Sequence, residues 1–165
     1  MADRDAGRMP GPKHVLMGVF VGSWLTSGEV LTPEAHSVPF RARDTYEWLD
    51  GRFFLLHRWD AEMPDGVTKG IEVIGYDPSR RTYFMQSYDS RGNVGSMQAS
   101  VTGATWTFWA EGVRFAGGFQ DGGMTFAGVW ERRAEDGSGW SQWMKIRLTK
   151  EGPPPGGPTG APHRS

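Results

Sequence analysis

The stretch RFFLLHRWDAEMPDGVTKGIEVIGY, residues 52–76, decides the fold. Two runs rich in aromatic and β-branched residues flank the turn signal Pro64-Asp65-Gly66, and each is too short for most helices. Arg58 and Asp60 alternate with His57 and Trp59, the period of a strand with one face to water and one to a core. The stretch predicts an antiparallel hairpin.

Outward from it the same punctuation recurs roughly every 8–12 residues, the spacing of an all-β sandwich or barrel. It appears as Asp50-Gly51, Asp77-Pro78, Arg91-Gly92-Asn93, Thr102-Gly103, Glu111-Gly112, Asp121-Gly122 and Asp136-Gly137. Gly, Asn and Asp tolerate the positive φ of tight hairpin turns. Strand-like segments fill the intervals at 24–30, 40–49, 81–88, 96–101, 105–110, 113–119, 124–133 and 140–148. With the central pair this predicts an all-β, about ten-stranded antiparallel meander, because short loops make sequence neighbours pair. Closing an up-and-down sheet removes its edges, and ten strands enclose more than side chains fill. A cavity follows from strand count alone.

Turn lengths set the registers. Read as a two-residue turn, Asp50-Gly51 puts Asp44 opposite His57, Tyr46 opposite Leu55 and Trp48 opposite Phe53. Read as a four-residue loop, 63–66 puts Glu62 opposite Val67 and His57 opposite Glu72. The other face then pairs Asp60 with Arg41 on one side and Lys69 on the other, a favourable arrangement for a solvent face. Inside lie Asp44, Tyr46, Phe53, Leu55, His57, Trp59 and Glu72, an apolar wall with one polar row. Past residues 90–92 the apolar face changes parity, as a three-residue loop with a left-handed Gly92 would cause. The second inward set is Met97, Ala99, Trp106, Phe108, Val113, Phe115, Phe119, Met124, Phe126 and Trp130, with Met85 before the loop. Gly117, Gly118 and Gly128 take volume away on that side, in favour of a cavity.

Composition narrows the function. The chain has 165 residues, net charge −1 and no cysteine. That disfavours nucleic acid as a partner and excludes disulfides and thiolate chemistry. The apolar segment 15–22 is too short to span a bilayer and lacks the flanks of a signal peptide. It reads as a short helix closing one barrel end, in a cytoplasmic protein with no membrane partner. Residues 1–12 and 151–165 are polar and rich in Gly and Pro, which leaves 13–150 as the folded domain.

Gly22-Ser23-Trp24 behind that helix, with Arg147 near the end of the last strand, resembles the calycin pattern of lipocalins and fatty-acid-binding proteins. The resemblance implies that Trp24 plugs one end and Arg147 packs across it. Residues 44–48, 75–78 and 128–132 are similar to an uncharacterised bacterial calycin-like domain family. The strand count also resembles nitrobindin, whose haem ligand is a late His; residues 140–150 contain none, so no cofactor is expected.

The leading expectation is a module that binds a small hydrophobic or aromatic molecule. Its candidate ligand-binding residues are Tyr46, Phe53, Leu55, Trp59, Met85, Met97, Trp106, Phe108, Phe115, Phe126 and Trp130. The alternative is a cofactor-independent cyclase, isomerase or dehydratase with His57, Asp44 and Glu72 as its acid–base cluster. The same three residues also read as a hydrogen-bonded structural row with no turnover. The four histidines are scattered along the chain, and no metal site is expected.

Overall fold

The computed structural model of the chain describes residues 9–152, so most of the two expected tails lies outside the described residues. A five-residue helix, α1 (Pro12–Leu16), runs into a 3-10 turn (Met17–Phe20). Ten strands follow: β1 (Gly22–Leu31), β2 (Ser37–Trp48), β3 (Leu55–Met63), β4 (Gly66–Asp77) and β5 (Thr82–Asp89) come first. Then come β6 (Val94–Thr102), β7 (Thr105–Ala110), β8 (Val113–Gln120), β9 (Thr125–Arg133) and β10 (Trp140–Lys150). Each strand pairs antiparallel with its neighbour in sequence, and β10 returns to β1, so the sheet is a closed meander barrel.

The helix and its 3-10 turn close one end. Met17 and Phe20 enter the core, and the Phe20 ring meets Tyr46, Trp106, Phe119 and Phe126 at centroid distances of 5.0–5.6 Å. The Trp24 indole N–H donates to the Phe20 carbonyl at 2.7 Å, and the Tyr83 hydroxyl donates to the Lys13 carbonyl at 2.8 Å. These two bonds satisfy backbone carbonyls of a helix too short to stand alone. Trp24 is fully buried beneath it.

The cation on Trp24 is Lys150, not Arg147. Lys150 is the direct pairing partner of Trp24, and its Nζ lies 5.1 Å from the ring centroid. Its stem runs beside Gly22, where a Cβ would come within 2.8 Å of it. Arg147 pairs with Ser27, points outward beside the inward Leu148, and lies 4.0 Å from Asp121. Strand alternation makes the inward cation the one an even number of residues beyond Leu148.

Several glycines serve rings rather than open space. A Cβ on Gly70 would strike the Trp59 indole, and one on Gly28 would strike the Phe40 ring. Gly117 and Gly128, paired with each other, are covered by the Phe115 ring. The volume these two positions give up is therefore taken by Phe115 and does not enlarge the cavity, while Gly118 lies against the Ala104 carbonyl. Met124 also departs from expectation: it follows the 3-10 turn Asp121–Gly123, ahead of β9, and is exposed.

Truncation of the plug should be costly. Trp24→Ala is expected to destabilise the protein by about 3–5 kcal/mol, and Lys150→Ala by about 1 kcal/mol through the lost cation–π contact and stem packing. Denaturant midpoints measure both. An unchanged midpoint in Trp24→Ala would remove the indole from its role as the plug.

Candidate functional site

Adjacent strands β1 to β4 bring one polar cluster into the barrel. The β3–β4 register pairs His57 with Glu72, as expected from the turn, although the strands extend to Met63 and Gly66 and leave a two-residue turn. The β2–β3 register differs by two residues: Asp44 pairs with Trp59, Tyr46 with His57 and Trp48 with Leu55. The cause is the connection. Residues 49–54 form a loop in which Gly51 and Arg52 both have positive φ and the Leu49 N–H donates to the Phe54 carbonyl at 2.9 Å. Phe53 thus leaves the strand and packs edge-on against His14 of α1 at 5.1 Å. On the outer face Asp60 pairs with Arg43 instead of Arg41, and its partnership with Lys69 is present at 2.8 Å.

A slip of two keeps every side chain on its face, and diagonal neighbours remain within reach. Asp44 and His57 accordingly still meet. The His57 Nε2–H donates to Asp44 Oδ1 at 2.8 Å and the Nδ1–H donates to Glu72 Oε1 at 3.2 Å. The Thr26 hydroxyl donates to Asp44 Oδ2 at 2.5 Å. Tyr46, directly opposite His57, stacks on the imidazole with centroids 4.1 Å apart and planes 4° from parallel.

Burial opposes a charge on His57, but the hydrogen bonds and charges of the two carboxylates outweigh it and push its pKa up to about 9. The ring is therefore an imidazolium at neutral pH, with both N–H groups engaged. Burial, reinforced by the charges of Asp44 and Glu72, pushes the Tyr46 phenol well above its ordinary value.

The cluster faces a cavity of about 680 Å³ that runs from Met17 and Phe20 at the closed end to Asp65, Arg91 and Asn93 at the other. There Arg91 clasps Asp65 through two bonds of 2.6 and 3.1 Å, tying the β3–β4 turn to the β5–β6 turn. The cavity wall includes His57, Asp44, Glu72, Tyr46, Trp59, Met85, Met97, Trp106, Phe108, Phe126 and Trp130. Three expected ligand residues are not in it. Phe53 is in the loop against α1, while Leu55 and Phe115 are fully packed core.

Thr26, Phe40 and Tyr83 also line the cavity, and the sequence reading missed them. Alternation from Trp24, Asp44 and Met85 respectively was the signal available. Trp143 and Met144 are both wall residues although adjacent in sequence, because β10 carries an irregularity between Gln142 and Met144. A bulge of this kind re-aims a side chain and leaves no mark in the apolar pattern. Among the described residues, no group of three or more His, Asp or Glu is placed to hold a metal ion, and no helix is long and apolar enough to cross a membrane.

The raised His57 value sets a pH dependence. Its ordinary value is 6.5, so the stability it contributes is complete below about pH 6.5 and is lost as the pH rises through 9. The loss should amount to roughly 2–4 kcal/mol over that window. NMR of the imidazole should show the charged ring at neutral pH and a midpoint near 9, and Asp44→Asn should lower that midpoint. A midpoint near 6.5 that ignores Asp44→Asn would dismantle the cluster.

Comparison with known proteins places this barrel. Its fold is similar to that of Rv2717c from M. tuberculosis, with a TM-score of 0.59 and 13% identity over 86% of this chain and 98% of that one. It is also similar to the S-type phycobiliprotein lyase CPES from Guillardia theta, with a TM-score of 0.62 and 9% identity over 86% and 93% of the two chains. The shared architecture is the calycin-like barrel. No curated protein matches the sequence. A family described as a protein of unknown function, DUF1579, matches residues 9–122, and the chain belongs to that family.

Proposed function

We propose that the protein binds a small, largely apolar molecule in the interior of its barrel. The observation that carries this reading is the cavity itself. Its volume of about 680 Å³ falls within the roughly 300–1,000 Å³ of small-molecule pockets, and its wall is mostly apolar, half of it aromatic and Met, with the polar groups gathered at the His57 cluster and at the mouth. Side chains do not fill it even with Phe20 inserted from below. A barrel of the same fold that is a phycobiliprotein lyase is compatible with a small-molecule ligand here.

The acid–base alternative finds less support. A general base needs a free lone pair and a pKa near the working pH. Both nitrogens of His57 are engaged by carboxylates, and its proton is held to about pH 9. The cluster is better suited to orient a ligand than to exchange protons with one.

An environment-sensitive apolar dye should bind at one per chain and be displaced by hydrophobic small molecules. Ala42→Phe, which fills part of the wall, should weaken dye binding by about tenfold or more with the circular dichroism unchanged. Calorimetry showing no uptake across a varied apolar panel would remove the binding reading.

A further inference from the structure

We propose that the cavity selects an organic cation, an apolar or aromatic molecule carrying a protonated nitrogen held by Glu72 and the Tyr46 hydroxyl. The inference rests on the binding reading above and adds the charge of the ligand.

The hydrogen bonds of the cluster leave two groups over. His57 gives its two N–H groups to Asp44 Oδ1 and Glu72 Oε1, and Thr26 occupies Asp44 Oδ2. Glu72 Oε2 and the Tyr46 oxygen have no protein partner among the described residues, and both residues line the cavity. Neither oxygen is sealed from the cavity. A carboxylate oxygen accepts only, so the ligand group that meets it must be a donor.

Charge points the same way. One imidazolium between two carboxylates leaves one negative charge in the apolar interior. Along the whole wall, Asp44, Asp65, Glu72 and Asp89 stand against His57 and Arg91 as the cationic groups. Arg91 is at the mouth and already grips Asp65 with both terminal nitrogens. A neutral or anionic ligand that displaced water from Glu72 would leave a desolvated charge unanswered, which is costly.

The ring beside Glu72 suits a cation as well. Trp59 occupies the space that a side chain on Gly70 would take, two residues along β4 from Glu72, and its ring centroid is 5.4 Å from that of His57. It supplies an aromatic ring on the cavity wall next to the negative charge, the combination that attracts an ammonium group, while Tyr46, already stacked on the imidazole, offers its hydroxyl.

The test compares three probes that share one frame: 2-naphthylmethylamine, charged at neutral pH, 2-naphthylmethanol and 2-naphthoate. Calorimetry on the full chain should find the ammonium bound about tenfold tighter than the alcohol, and the naphthoate weakest, the scale of one charge-assisted hydrogen bond. Glu72→Gln should bring the ammonium and the alcohol to within about threefold of each other, and Tyr46→Phe should reduce the gap without weakening the alcohol. Alcohol or naphthoate binding as tightly as the ammonium in the unaltered protein would overturn the charge selectivity and leave the binding reading standing. Uptake of none of the three, together with no uptake of the apolar dye, would overturn both.

Discussion

The pairing of β1 with both β2 and β10 turns a ten-strand ribbon into a container. Trp24 is the residue on which that closure centres. Its backbone is paired with Asp44 on one side and Lys150 on the other, and its indole is tied to the carbonyl of Phe20. One strand thus joins the barrel seam, the polar cluster and the plug beneath the cavity. An open sheet of this length would expose two edges and lose its interior.

The interior then has to accommodate charges that closure takes out of water. Isolated, each would be prohibitive; together they are arranged so that every proton on His57 has a carboxylate and Asp44 has Thr26 as well. Stacking by Tyr46 fixes the ring plane. The result is a rigid polar ledge in an apolar tube, with one carboxylate oxygen left over. Under the proposed binding function, that unused hydrogen-bonding capacity lets the cluster act as a recognition element rather than a closed structural knot.

Strand number, order and turns were legible because Gly, Asp and Pro mark the turns of this chain. The 94–102, 105–110 and 113–120 segments, for example, are bounded by glycine turns whose positive φ the structure confirms at Gly92, Gly103 and Gly112. The β2–β3 register was less so. Arg41 meets an acid in either register, Asp60 in the expected one and Glu62 in the observed one, and that single pair decides nothing; the discriminating signal was Arg43, which the expected register sets against Arg58 and the observed one against Asp60. Only the left-handed conformations of Gly51 and Arg52 lengthen the loop, and Arg52 is not a residue from which positive φ is expected. The triad survived because its members share a face. Phe53 did not, because it lay inside the lengthened loop. Trp143 and Met144 depended on an irregularity in β10 that alternation cannot forecast, and Lys150 was overlooked in favour of Arg147 because the last strand runs two residues beyond its expected end.

The central claim is that the barrel exists to hold a molecule, and mass spectrometry under non-denaturing conditions tests it most directly. Protein purified from its own source, or incubated with a small-molecule extract of that source, should show a mass above that of the chain by one organic molecule, released on denaturation. Native and denatured masses that agree in both preparations would contradict the account.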